Sequence, residues 1–177
     1  YAQWKLASMY GRIAKADWSA KENKFKISYT YNLPTIPESK CVVTYTVYGT
    51  GLVKVELDYE KVDGLSEMPD FGMIMKMPAD YDTLTWYGLG PDENYSDRNK
   101  GARLGIFTNK VADNLSGYVN PQECGNKTGV RYAKVSNVKN HGLIFTCNLG
   151  GKKTKPSDEL IEAFEKVGTE IGLPKEV

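Results

Sequence analysis

Lys24-Phe25-Lys26-Ile27-Ser28-Tyr29-Thr30-Tyr31-Asn32-Leu33 alternates without a break: Phe25, Ile27, Tyr29, Tyr31 and Leu33 take every second position and polar residues take the rest. Successive side chains of a strand point to opposite faces, so this period of two specifies a half-buried antiparallel strand. Pro34 and Pro37 stop it, because proline removes a ladder donor. Next come Cys41 to Tyr48 and Leu52 to Tyr59, β-branched and aromatic runs joined by Gly49-Thr50-Gly51, a glycine-bearing connection that signals a hairpin. In the second run Val53, Val55, Leu57 and Tyr59 are expected to face a core, and Lys54, Glu56, Asp58 and Glu60 to face water. Upstream, residues 11–18 alternate loosely and are expected to form a first strand, with a turn from Ser19 to Lys24.

The same texture continues downstream. After a polar loop through Asp63-Gly64, Phe71 to Met77 predicts a strand closed by Pro78. Thr83 to Tyr87, Ala102 to Thr108, Val130 to Ser136 and Gly142 to Cys147 predict further strands. The period turns helical only near the end, where Leu160, Ile161, Phe164, Val167 and Ile171 share one face behind a Ser157 N-cap, with Asp158 and Glu159 in the first turn. Many short strands with helix confined to the end predict an all-β fold, an antiparallel sandwich with one helix near the C-terminus. No linker or repeat interrupts residues 1–177, so a single domain is expected.

A chain of 177 residues is long enough to bury a core unaided. Its 23 basic and 22 acidic residues, net +1, create no field that would steer it to a polyanion, so neither nucleic acid nor membrane is expected as a partner. Cys41, Cys124 and Cys147 are too few and too scattered for a disulfide framework. No run of eighteen apolar residues and no signal-peptide pattern occurs, and a start at Tyr1 suggests a piece of a longer protein.

One stretch departs from the alternating texture: Trp86-Tyr87-Gly88-Leu89-Gly90-Pro91-Asp92-Glu93-Asn94-Tyr95-Ser96-Asp97-Arg98. Asp92, Glu93 and Asp97 invite a glycosidase reading, but paired catalytic carboxylates must flank the scissile bond, and these share one short loop. The expectation is that Glu93, Asp97 and Arg98 satisfy one another and nearby backbone at a packed corner or domain interface. Trp86, Tyr87 and Tyr95 offer aromatic faces suited to the apolar side of a sugar, and they are the expected carbohydrate contacts. Gly88-Leu89-Gly90 is not a dinucleotide fingerprint, since no helix pattern follows it. His141 is the only histidine and sits in a turn-like Asn-His-Gly, which excludes metal sites built on histidine pairs. Cys124 lacks a partner base. Asn94, Asn114 and Asn126 open glycosylation triplets to which no function is assigned. No catalytic or metal-ligating residue is assigned.

The same thirteen residues closely resemble the Trp-Tyr-Gly-x-Gly-Pro-x-Glu-x-Tyr-x-Asp-Arg pattern of the small-chain, C-terminal domain of bacterial β-galactosidases of glycoside hydrolase family 2. Ala102 to Ile106 and Tyr118 to Arg131 resemble that family's next blocks, with Cys124 where asparagine and Lys127 where arginine are usual. Pro156 to Glu162 and Gly172-Leu173-Pro174 resemble its later helix more loosely, so the likeness runs from about residue 20 onward. The resemblance makes Gly88, Gly90, Pro91, Glu93, Asp97, Arg98, Glu123 and Arg131 structural signature positions. It implies a galactose-mutarotase-like supersandwich that packs on a catalytic barrel, in the cytoplasm or periplasm of a bacterium. The barrel would hold the catalytic carboxylates and the family's Mg2+ and Na+, with no cofactor in this domain, and a galactoside would be a further partner. The family continues into an Asp-Asp-Ser-Trp segment that does not follow here, so the sandwich is expected to be truncated. The alternative is a free-standing carbohydrate-binding module of the same fold. An aldose epimerase ranks last, because His141 has no second histidine beside it in the sequence.

Overall fold

The computed structural model describes residues 2–146. Contacts divide the chain into two compact units, Tyr1–Met75 and Lys76–Val177. Each is built on one four-stranded antiparallel sheet, so the expected all-β antiparallel class holds. The helix expected from Ser157 to Ile171 lies outside the described residues. The helix that is described, α1 (Ala2–Tyr10), stands at the other end.

No element is expected before Gly11, and α1 forms there through two inward residues, Trp4 and Ala7, one turn apart. The Trp4 ring meets Tyr59 edge-on at 5.9 Å, and its Nε1 donates to the Ser66 carbonyl at 3.1 Å. Two buried positions in nine residues are too faint a period to announce a helix. No helix among the described residues is long and apolar enough to cross a membrane.

The first sheet is a meander, β1 (Arg12–Lys21), β2 (Lys24–Leu33), β3 (Ser39–Tyr48) and β4 (Val53–Tyr59), in that order. The alternation fixes its register: Phe25 lies opposite Val47, and Ile27 opposite Tyr45, which in turn faces Val55. Apolar residues thus gather on one face, while Ser28 and Thr44 share a 2.9 Å hydroxyl hydrogen bond on the other. The Gly49–Gly51 hairpin is present, with Gly51 at φ +88°. Two expectations need correction. Val53 and Val55 keep the predicted face but are exposed, because no described residue covers that end of the sheet, and Glu56, paired with Lys54, is half-buried. Phe71–Met77 pairs with no strand, and Ile74 is almost fully exposed. A β-branched or aromatic run becomes a strand only where an edge is free to pair with it.

In the second unit the sheet order is β6-β5-β7-β8, formed by β5 (Thr83–Gly90), β6 (Arg103–Lys110), β7 (Tyr132–Ser136) and β8 (Gly142–Thr146). A 3-10 turn, Val111–Asn114, follows β6. Strand β5 is central, hydrogen-bonded to β6 along its whole length and to β7 from Thr83 to Tyr87. Past Tyr87 the β7 side is taken by an irregular segment: Arg131 N donates to Tyr87 O at 2.8 Å and Leu89 N to Thr128 O at 3.0 Å. That substitution brings residues 124–131 alongside the motif. His141 is exposed in the β7–β8 hairpin, where the Asn137 side chain accepts from its backbone N–H, in line with the expected turn.

Candidate functional site

Strand β5 delivers the motif residues to alternate faces. Trp86, Gly88 and Gly90 are buried on one side, and Tyr87 and Leu89 are half-buried on the other. Trp86 is 1% exposed. Its ring packs on Phe107 of β6 at 5.4 Å, the Lys127 ammonium lies 4.9 Å from the ring centre, and Nε1 donates to Leu89 O at 3.1 Å. This ring has no open face for a sugar. Gly88 is required by close approach, since a Cβ there would stand 2.9 Å from the Val130 Cα, a backbone atom that cannot step aside. Gly90 ends the strand with a cis bond to Pro91, which starts the loop.

The centre of that loop is Asn94, also 1% exposed. Its Nδ2 donates to the carbonyls of Leu89 and Asp92, both at 3.1 Å. Its Oδ1 accepts from the Thr128 N–H at 2.9 Å and from the Thr128 hydroxyl. Its backbone N–H donates to Asn126 O at 2.9 Å, and the Asn126 amide returns a bond to Asn94 O at 2.8 Å. One carboxamide side chain therefore ties the end of β5, the loop and the 126–128 segment together, using both its donor and its acceptor capacity. Buried amides are kept this way because an unpaired polar group in a protein interior is costly.

The carboxylates divide. Glu93 Oε2 accepts from the Gly125 N–H at 2.7 Å, and Gly125 adopts φ +76°, which favours glycine at that point of the returning chain. Asp92 and Asp97 are exposed. The expected pairing of Arg98 with Glu93 or Asp97 is not what forms: Arg98 lies over the Tyr95 ring at 4.1 Å and 5.5 Å from the Tyr118 ring, and the ion pairs among the described residues lie elsewhere. A guanidinium held over an aromatic face needs no carboxylate partner to be positioned. Tyr95 is half-buried and its hydroxyl donates to Glu123 O at 2.9 Å, so Glu123 enters through its backbone. Arg131 repeats the arrangement over Tyr87, 5.0 Å from the ring centre.

Lys127 is drawn below the ordinary lysine range by partial burial, against which Glu93 and then Asp92 pull upward. Its Nζ stands over the buried Trp86 ring. Among the described residues no three of His, Cys, Asp or Glu gather as a metal-ligand set. Cys124 is a half-buried free thiol.

Asn94, Thr128 and Asn126 are the site residues that pattern reading misses, because Asn94 and Asn126 look like glycosylation triplets and nothing more. The amides of all three triplet asparagines are engaged internally, that of Asn114 with Asn109, Lys110 and Val111. The available signal is positional: an asparagine between Pro91 and Arg98 in a turn rich in carbonyls.

Comparison with known proteins places these residues in context. The beta galactosidase small chain family matches residues 1–165, and so extends upstream of the blocks that carry the resemblance. A beta-galactosidase of Halalkalibacterium halodurans is 40% identical over 143 residues, 79% of this chain and 14% of that protein. One of Priestia megaterium is 38% identical over 141 residues, 80% of this chain and 14% of its own. That of Streptococcus thermophilus is 32% identical over 145 residues, with 82% and 14% covered. The chain thus spans about one-seventh of the length of these relatives. With the family matched over residues 1–165 and the motif folded into one hydrogen-bonded knot, the chain belongs to the beta galactosidase small chain family.

Proposed function

We propose that the chain is a scaffold domain of a glycoside hydrolase family 2 β-galactosidase, of galactose-mutarotase-like type, which docks on the catalytic barrel and leaves hydrolysis to it. The observation that carries this reading is the inward spending of the motif: Trp86 and Asn94 are both sealed, and Glu93 is committed to the Gly125 N–H. A retaining or inverting hydrolase needs two free carboxylates facing across a glycosidic bond, roughly 5–9.5 Å apart. Asp92 and Asp97 sit five residues apart on one exposed loop, which argues against that role. Carbohydrate contact by the domain falls on the half-exposed rings of Tyr87 and Tyr95 rather than on Trp86.

Two measurements test the reading. The chain purified from a host lacking its own β-galactosidase should not turn over a chromogenic β-galactoside; turnover would overturn the scaffold role. In the full-length enzyme, Glu93→Ala or Arg98→Ala should lower the melting temperature and the fraction of active enzyme, with KM unchanged. Unchanged melting with a raised KM would make the loop a sugar site instead.

A further inference from the structure

The polar face of the first sheet carries a cavity of about 230 Å³ lined by Ser19, Lys21, Lys24, Lys26, Thr46 and Tyr48. The register explains how they meet. Lys21 lies directly opposite Lys24, which faces Tyr48; one row along, Lys26 stands between Ser19 and Thr46. Like charges directly across a strand pair are destabilising. No ion pair among the described residues engages Lys21, Lys24 or Lys26: the pairs present use Lys15, Lys54 and Lys110. Lysine on an edge strand guards against sheet-to-sheet pairing, which accounts for Lys21 on β1. It does not account for Lys24 and Lys26, which stand on the interior strand β2. Thr46, opposite Lys26 and 7% exposed, also lines the cavity, and its hydroxyl, which makes no hydrogen bond to another described residue, is open to water or to a ligand.

We propose that this cavity binds a tetrahedral oxyanion, either free phosphate or the phosphoryl group of a small sugar phosphate. Three ammonium groups act as point charges on the oxygens, and the hydroxyls of Ser19, Thr46 and Tyr48 supply directed donors. The volume is below the roughly 300 Å³ from which drug-sized pockets begin, which fits a phosphoryl group with a small portion of its carrier. A scaffold role neither requires nor excludes this site.

The test is calorimetric titration of the full chain, at fixed ionic strength, with inorganic phosphate, glucose 6-phosphate and glucose. Wild type should bind phosphate saturably and glucose not at all. The double variant Lys24→Gln/Lys26→Gln should weaken phosphate at least about tenfold, as expected on loss of two charge-assisted contacts, while Lys15→Gln, on the same face but paired with Asp17, should change it less than about twofold. Tighter binding of glucose 6-phosphate than of phosphate would assign the sugar phosphate as ligand, and equal binding the free anion. A cooperative urea transition in the double variant checks that it is folded, and phosphate should raise the midpoint of wild type and not of the double variant. The proposal is overturned by absence of saturable phosphate binding, by wild-type affinity in the double variant, or by an equal loss in Lys15→Gln.

Discussion

Strands β2 and β5 are both interior strands of four-stranded antiparallel sheets and both carry aromatic residues, yet their aromatic side chains end in different surroundings. On β2, Phe25 is exposed and stacks on Trp18, itself 69% exposed, while Tyr29 and Tyr31 are half-buried. On β5, Trp86 is sealed. Phe25 and Trp86 are each flanked by paired strands on both sides, so lateral hydrogen bonding does not decide their burial. The difference lies in what crosses the face: Lys127 on the returning 124–131 segment reaches the Trp86 ring, and Asn94 locks that segment to the end of β5. Nothing comparable among the described residues covers the Trp18 and Phe25 end of the first sheet.

The contrast can be broken by substitution. Trp86→Ala should have the largest effect, a loss of about 3–5 kcal/mol from an aromatic side chain removed from a packed site, read from the urea midpoint and from hydrogen exchange of the β5 amides. Asn94→Ala should follow at about 3 kcal/mol, since it strands the Asp92 carbonyl and the Thr128 donors and leaves Leu89 O with the Trp86 Nε1 donor alone. Gly88→Ala should cost about 1–3 kcal/mol, because the new methyl meets the Val130 backbone. Trp18→Ser should cost less than about 1 kcal/mol by the same urea assay. Equal losses for Trp18→Ser and Trp86→Ala would erase the distinction between the two sheets.

The smallest effect is electrostatic. Asp82 is held below the ordinary carboxylate range first by its hydrogen bond from Lys110, then by that from Thr83. A carboxyl whose folded pKa is depressed contributes stability that is present above its unfolded pKa and lost as the pH falls through the folded one. Both partners are exposed, so the contribution is screened by salt. Lys110→Gln should move the Asp82 titration midpoint upward in a carboxyl-carbon NMR titration. A midpoint left in place would show that the pair does not hold the charge.

Much of the fold is legible in the residues because side-chain direction is a local property. The alternation from Lys24 to Leu33 predicts β2 with the bounds it has, and Gly49-Thr50-Gly51 predicts the hairpin, since a period of two and a permissive glycine act over a few residues. Phe71–Met77 has comparable composition and forms no strand, since pairing needs a partner that composition does not reveal. Helix α1 is hidden for the converse reason: its main anchor, Trp4, gains its meaning from Tyr59 and Ser66, more than fifty residues away.

The motif divides along the same line. By itself the sequence determined that the chain leaves its strand by Pro91 and which family it belongs to, because those positions are written in residue types; the turn that Gly88 and Gly90 suggest does not form at them, since both stay in β5, opposite Gly105 and Arg103. Only the tertiary structure decided what the polar residues do. Glu93 takes the Gly125 N–H, Arg98 lies on Tyr95 and Tyr118, and Asn94 ties together segments more than thirty residues apart. A hydrogen bond is made by atoms that meet in space, and residues 93 and 125 meet where the chain, returning from β6, runs back beside the end of β5.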